Sequence, residues 1–278
     1  MIAVLIHAHK NSNQIKRLVH VLQHPEIKVF LHIDKKSRLE INYPGVTVIN
    51  NPVSVDWASF SQLKALLNSL EQIRGDQIKY DFVHFISGQD FPIKPVKDFV
   101  EFLNGKKGYS FVEAKNILNE WPRAAIRYQR FYFSENSLLN YLARPFSKLL
   151  FKLYKRKPPM EIYGGSQWVT LSSSAVDYIL NRGNKQSKFY RFMKYCNVSD
   201  ELFVQTLLYN SPLKEQCIND NLRLISWNNA AKGLTDSPDV LTINDYDKIK
   251  SSAQFFARKF DEQTDGQILD KITIELLK

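Results

Sequence analysis

Apolar residues recur along this chain at two spacings, and the two alternate. Ile2 to His7 is a short, nearly continuous apolar run, which predicts a buried strand. Asn13 to Leu22 then puts Ile15, Leu18, Val19 and Leu22 on one helical face, and Lys28 to Ile33 predicts the next strand. Val46 to Ile49 reads as a short strand, Trp57 to Ile73 as a helix with Leu63, Leu66, Leu67 and Leu70 inward, and Phe82 to Ser87 as another buried strand. The first hundred residues therefore predict an α/β fold, a mostly parallel sheet flanked by helices.

After Tyr109 the periodicity loosens. Asn116 to Tyr132 carries Trp121, Arg123, Arg127, Tyr128 and Arg130 without a clear period, as an irregular helix or site-lining segment would. Leu138 to Tyr154 is amphipathic and helical, and the paired prolines of "KRKPP" stop it. The strand and helix rhythm resumes with "SQWVTLS" as strand, Ala175 to Asn181 and Glu201 to Tyr209 as helices, and "LRLISW" as strand. No Pro-, Gly- or Ser-rich linker interrupts the chain, so a single domain is expected.

Composition adds limits rather than a function. With 278 residues, 44% of them apolar and 13% aromatic, the chain has ample material for a core. Lys and Arg outnumber Asp and Glu by 38 to 28, and the resulting +10 suits an anionic partner. Cys196 and Cys217 form no CxxC pair, so a reducing compartment is the simpler inference, with neither thiol an evident nucleophile. The opening "MIAVLIHAHK" is too short for a signal segment, and no window of about 18 apolar residues would span a bilayer.

In parallel α/β sheets, ligands bind beyond the carboxyl ends of the strands. Here those ends carry His7 and His9, Asp34 to Lys36, "SGQDFPIK" and Trp227. Neither GxGxxG nor GxxxxGKS is present, so dinucleotide and P-loop readings lack their phosphate cradle. In "NVSDELFVQTLL", Ser199 is a natural N-cap, with Asp200 and Glu201 in the first turn where the helix dipole favours carboxylates. The one literal DxD, Asp245-Tyr246-Asp247, follows Thr242 and Asn244 and reads as capping rather than metal binding.

Seven blocks in order, "HIDKKS", "VDWASFS", "SGQDFPIK", "GGSQWVTLS", "SDELFVQTLL", "LRLISW" and "FFARKFD", resemble the core-2/I-branching enzyme family. That family contains β-1,6-N-acetylglucosaminyltransferases and peptide O-xylosyltransferases. The resemblance implies a GT-A-like nucleotide-sugar fold, with about 1–105 as the nucleotide-binding half and about 106–278 as the acceptor-binding and catalytic half. It also implies inverting transfer from a UDP-sugar, most simply UDP-GlcNAc, without a metal or other cofactor.

Residue by residue, Glu201 matches the family's base in a "PDE"-like motif, with Ser199 in place of the Pro. Lys259, with Arg258 beside it, matches the cation at the diphosphate, while an Arg that joins this Lys in the animal branching enzymes has no counterpart in "TDSPDVLT". His7, Asp34, Trp57 and Asp90 fall at nucleotide-side positions, and Gly165 and Ser166 border the donor sugar. Glu113, Arg123, Arg127 and Trp227 match positions facing the acceptor. An inverting transfer needs a positioned base for the acceptor hydroxyl and positive charge for the departing diphosphate, which Glu201 and Lys259 would supply.

Other readings fit the same residues. UDP-xylose, UDP-glucose or UDP-galactose would suit the same fold, and His7 and His9 with His32 and His84 could serve a metal-dependent hydrolase. Nucleic acid is not expected, since basic residues and aromatics do not interleave in a recognised motif. The basic apolar stretch Leu138 to Lys157 suits peripheral contact with an anionic membrane. The expected setting is thus bacterial and cytoplasmic, at the inner face of the plasma membrane, with a glycan or lipid-linked oligosaccharide as acceptor for surface polysaccharide or lipooligosaccharide synthesis.

Overall fold

The computed structural model describes residues 1–40, 43–133, 137–231 and 237–278. In chain order the elements are β1 (Ile2–Ala8), α1 (Ser12–Val21), β2 (Ile27–Ile33), β3 (Val46–Val48), α2 (Phe60–Arg74), β4 (Phe82–Ser87), β5 (Asp90–Pro92) and α3 (Val96–Asn104). Next come β6 (Ser110–Phe111), β7 (Lys115–Asn116), α4 (Ile126–Gln129), α5 (Ser137–Leu153), β8 (Tyr163–Gly164), β9 (Thr170–Ser172), α6 (Ser173–Arg182) and α7 (Lys188–Met193). The last are α8 (Phe203–Tyr209), β10 (Cys217–Ile218), β11 (Arg223–Ile225), α9 (Asn228–Ala231), α10 (Tyr246–Lys250), β12 (Phe256–Arg258) and α11 (Gln267–Glu275). None of the described helices is long and apolar enough to cross a membrane.

The chain forms two compact units, each assembled from separated segments: Met1–Ile49, Tyr80–Lys107 and Leu222–Lys278 in the first, Asn50–Lys79 and Gly108–Asn221 in the second. Sequential halves of about 1–105 and 106–278 are therefore not what the contacts define.

In the first unit β1 is the middle of a parallel set, pairing with β2 on one side and β4 on the other, while β3 extends the set beyond β2. Its nearly unbroken burial is what a strand covered on both faces requires, and explains why its sequence is a continuous apolar run. The register sets His7 beside His32 and Ser87.

A second, three-stranded sheet joins β11, β12 and β5, with β12 parallel to β11 and antiparallel to β5. That pairing joins the C-terminal segment to β5, which follows β4 in the chain. Asp90 opposes Arg258 across it. The Asp90 carboxylate is fully buried and accepts from Arg223 Nε at 3.2 Å, Arg258 Nη1 at 3.2 Å, Ser87 N at 2.6 Å and Ser87 Oγ at 2.7 Å. Arg223 Nη2 also donates to the Phe85 carbonyl.

The second unit contains the small set β10-β6-β9, in which β10 pairs parallel and β9 antiparallel with β6. A separate β7–β8 ribbon is antiparallel, and α8 packs against β8. "SQWVTLS" yields strand only at its end, Thr170–Ser172, and the Ser166 carbonyl at its start accepts from the Gln205 side chain.

The buried triad generates a stability prediction. Removing one partner of a buried charge set leaves uncompensated charge, which costs about 3–5 kcal/mol. Asp90→Ala strands two guanidinium groups, so urea unfolding should show a loss of that order. A variant with an unchanged midpoint would show that the triad is not what holds β5, β11 and β12 together.

Candidate active site

Glu201 lies at the end of a 3₁₀ turn, Ser199–Glu201, and α8 begins only at Phe203. Ser199 is not the helix cap that its type suggests: it is fully buried and its Oγ has no hydrogen-bond partner. Val198 precedes the turn at φ 51°, a left-handed conformation that β-branched residues rarely adopt. Its N–H donates at 3.1 Å to the carbonyl of Ala58, itself at φ 58°, and the next residue upstream, Asn197, donates to the Arg127 carbonyl at 2.8 Å. The turn is thus held from outside.

Asp200 points inward. It is buried, neither carboxylate oxygen has a partner, and burial, followed by the neighbouring Glu201 charge, pushes its pKa up to about 8. Glu201, by contrast, is partly exposed and accepts from Arg127 Nη1 at 2.6 Å. The Arg127 guanidinium also lies over the Trp121 ring, 4.5 Å from its centroid. Arg127, expected to face the acceptor, pairs its charge with Glu201.

Around this pair the second unit gathers several expected residues. Gly165 N donates to the Glu201 carbonyl at 2.9 Å, and a Cβ at Gly165 would overlap the Glu113 carbonyl, so only glycine fits. Gln205 Nε2 donates to the Ser166 carbonyl at 2.6 Å. The Glu113 carboxylate accepts from Asn221 Nδ2 at 2.6 Å. Arg123 is exposed on the 3₁₀ turn Pro122–Ala125. Trp57, expected on the nucleotide side, belongs to this unit too, adjacent to Ala58 and 73% exposed. Trp168 is buried, as a packing residue should be.

The remaining expected residues sit in the first unit. His7 packs against His32 and Phe85 with ring centroids 4.6 and 4.5 Å away, and burial, then His32, hold it well below the ordinary imidazole pKa. Its Nε2 has no hydrogen-bond partner. Asp34 comes directly after β2, where its Oδ1 accepts from Lys36 N at 2.9 Å.

Asp90 was expected on the nucleotide side and Arg258 at the diphosphate. Both are buried, and both Asp90 oxygens are occupied by the triad and Ser87, so Asp90 offers a ligand nothing and acts by holding Arg258 and Arg223. Lys259 is half-buried and donates to Ser237 Oγ at 3.0 Å. Burial, then the charges of Arg258 and Lys10, lower its pKa, against the opposing pull of Asp239 and Asp261. Of the segment expected to lack a second Arg, Thr235 and Asp236 lie outside the described residues.

Trp227 is half-exposed after β11. Its loop is anchored by Asp239, which accepts from Ser226 Oγ at 2.8 Å and from the backbone N–H groups of Asn228 at 2.8 Å and Asn229 at 3.2 Å. Asp239 and Arg223 were not among the expected site residues, and Trp121 and Asp200 were noted without a role of their own. Only Asp200 carried a local signal, as the neighbour of Glu201; the others act through partners distant in sequence.

The hydrolase alternative fares poorly on geometry. His84 is fully buried between Phe99 and Phe256, His9 is exposed past the end of β1, and among the described residues no group of three His, Cys, Asp or Glu could hold a metal ion. Asp245 does serve as a cap, accepting from Thr242 N at 2.9 Å. Burial pushes the thiols of Cys196 and Cys217 up to about 11, so neither is a ready thiolate.

Comparison with known proteins gives this arrangement a lineage. A family model described as Core-2/I-Branching enzyme matches residues 2–250. The chain is 26% identical to a xylosyltransferase of Ciona intestinalis over 286 residues, covering 95% of this chain and 32% of the relative. Against xylosyltransferase 2 of Rattus norvegicus it is 26% identical over 300 residues, 99% of this chain and 33% of the relative. The chain thus spans about a third of the length of these curated relatives. Among solved structures, the crystal structure of S. aureus TarS 1–349 is similar at 14% identity with a TM-score of 0.37, over 78% of this chain and 57% of that one. With the family model running from the first strand into α10, the chain belongs to the core-2/I-branching enzyme family of glycosyltransferases.

Proposed function

We propose that this chain is an inverting, UDP-sugar-dependent glycosyltransferase acting on a hydroxyl of a glycan acceptor. The observation that carries the reading is the Glu201–Arg127 pair: a carboxylate held by a guanidinium and by its own carbonyl's bond to Gly165, yet still open to solvent. In the transfer, an acceptor oxygen attacks the anomeric carbon and its proton passes to Glu201. The bond from the anomeric carbon to the diphosphate oxygen breaks, its electron pair leaves with UDP, and inversion yields a β-linkage. Lys259, half-buried beside Arg258, meets the charge on the departing diphosphate.

The same reading assigns no metal to the reaction, because Asp90, the carboxylate nearest in sequence to a DxD position, has both oxygens engaged within the protein. His7 and Asp34 fall to the nucleotide, Trp227 and Glu113 to the acceptor. UDP-GlcNAc is the first donor to test, and the xylosyltransferase names of the relatives bring UDP-xylose beside it; UDP-glucose and UDP-galactose complete the panel. The setting inferred is the bacterial cytoplasm, in surface polysaccharide or lipooligosaccharide synthesis.

Turnover across that donor panel, with and without EDTA, tests the proposal. Activity should persist in EDTA, and complete loss restored by manganese would end the metal-free mechanism. Glu201→Gln should lower kcat by about 10²–10⁴-fold, the usual worth of a general base. Undiminished transfer by that variant would remove Glu201 from the mechanism.

Asp200 predicts a pH dependence of stability. Its carboxyl keeps a proton in the folded state up to about pH 8, whereas its ordinary value is 3.8, so the unfolded chain releases that proton earlier. Stability therefore falls as pH rises from about 4 to 8, by roughly 1.4 kcal/mol for each unit of the difference. Asp200→Asn cannot ionise and should lose less on the same titration. The gap in Tm between the variant and the native chain should widen toward pH 8, and parallel curves would contradict the assignment.

A further inference from the structure

The helix α5 is mounted with its apolar stripe outward. Leu142, Phe146, Leu149 and Leu153 succeed one another at spacings of four, three and four residues, so they share one side. They are 63%, 58%, 54% and 77% exposed. Among the described side chains of α5 the fully buried one is polar: Ser147 accepts from Arg130 Nε at 2.9 Å and donates to the Phe131 carbonyl at 2.6 Å, while Leu150 and Phe151 are half-buried. A helix packed as an ordinary core element would show the reverse arrangement.

The orientation is fixed at the far end by Arg156. Its buried guanidinium donates to the Tyr195 carbonyl at 2.7 Å and the Phe192 carbonyl at 2.6 Å, and lies 4.2 Å from the Phe192 ring centroid. The stripe is therefore held outward.

Charge identifies the occupant. Between Ser137 and Met160 there is no Asp or Glu, while Lys148, Lys152, Lys155 and Lys157 are exposed beside the stripe. We propose that α5 is a membrane-docking surface, which seats Leu142, Phe146, Leu149 and Leu153 among the acyl chains of an anionic bilayer while the lysines meet lipid phosphates. A second copy of this chain fits less well, since a two-fold contact would set lysine flank against lysine flank. The proposal stands on exposure and charge and does not rest on the transfer reaction.

Flotation of the full chain decides it, using phosphatidylcholine vesicles with and without about 30% phosphatidylglycerol at low and high salt. The native protein should float with the anionic vesicles alone, and less so at high salt. Leu149→Glu with Leu153→Glu should cut the bound fraction at least tenfold, and Lys148→Gln with Lys152→Gln should weaken binding and its salt dependence. Both variants should keep native Tm and native turnover on a soluble acceptor, which separates this result from any failure of the catalytic reading. Absence of flotation at low salt, or equal flotation of the leucine variant, would overturn the proposal. So would light scattering that shows a native dimer made monomeric by the leucine variant.

Discussion

The Asp90 carboxylate sets the first unit. It is the negative charge in a dry interior that also holds Arg223 and Arg258, and its hydrogen bonds come from β11, from β12 and from the end of β4. In a low-dielectric setting two guanidinium groups cannot remain without a shared anion, so β5, β11 and β12 are held to one point. That point in turn places candidate ligand groups. Lys259 is the next residue after Arg258, and Trp227 leaves the end of β11 two residues on. Their positions are inherited from a contact that itself touches no ligand.

The second unit solves a different problem, which is to present one carboxylate while hiding its neighbour. Val198 in the left-handed region, Ser199 with a buried unmatched hydroxyl and Asp200 with a buried unmatched carboxyl are three consecutive unfavourable residues. Such positions persist only where the surroundings over-determine them. Here the Ala58 carbonyl, the Arg127 carbonyl and the Gly165 N–H grip the backbone from three directions, and Glu201 is what the grip delivers. Arg127 thus acts twice, with its carbonyl on the backbone before the turn and its guanidinium on Glu201, so backbone and side chain are positioned together.

Much of the fold was legible because local rules and burial agree there. β1 and β4 are buried on both faces, so an unbroken apolar run could mean only one thing, and the predicted bounds of β4 match the structure. Glu201 was legible only through its family motif. The local reading of its turn failed because Ser199, a good cap by type, is pulled inside by tertiary contacts. The pairing of Arg127 with Glu201 spans 74 residues, and that of Asp90 with Arg258 spans 168. No local pattern encodes either. The division into two interleaved units was hidden for the same reason, since strand pairing between distant segments leaves no mark on composition.

The helix α5 shows the limit most clearly. Periodicity says which residues share a side, and it says so correctly for Leu142, Phe146, Leu149 and Leu153. It does not say which side faces the protein. The side that faces the protein carries Ser147, and beyond the helix Arg156 anchors the chain; their hydrogen bonds reach the carbonyls of 131, 192 and 195. At about 1.5–3 kcal/mol for each such side chain fully buried, turning them outward forgoes a large stabilisation. On the proposed anionic lipid surface, the outward stripe and the basic flank, which carries no Asp or Glu, would recover both the apolar contact and the charge.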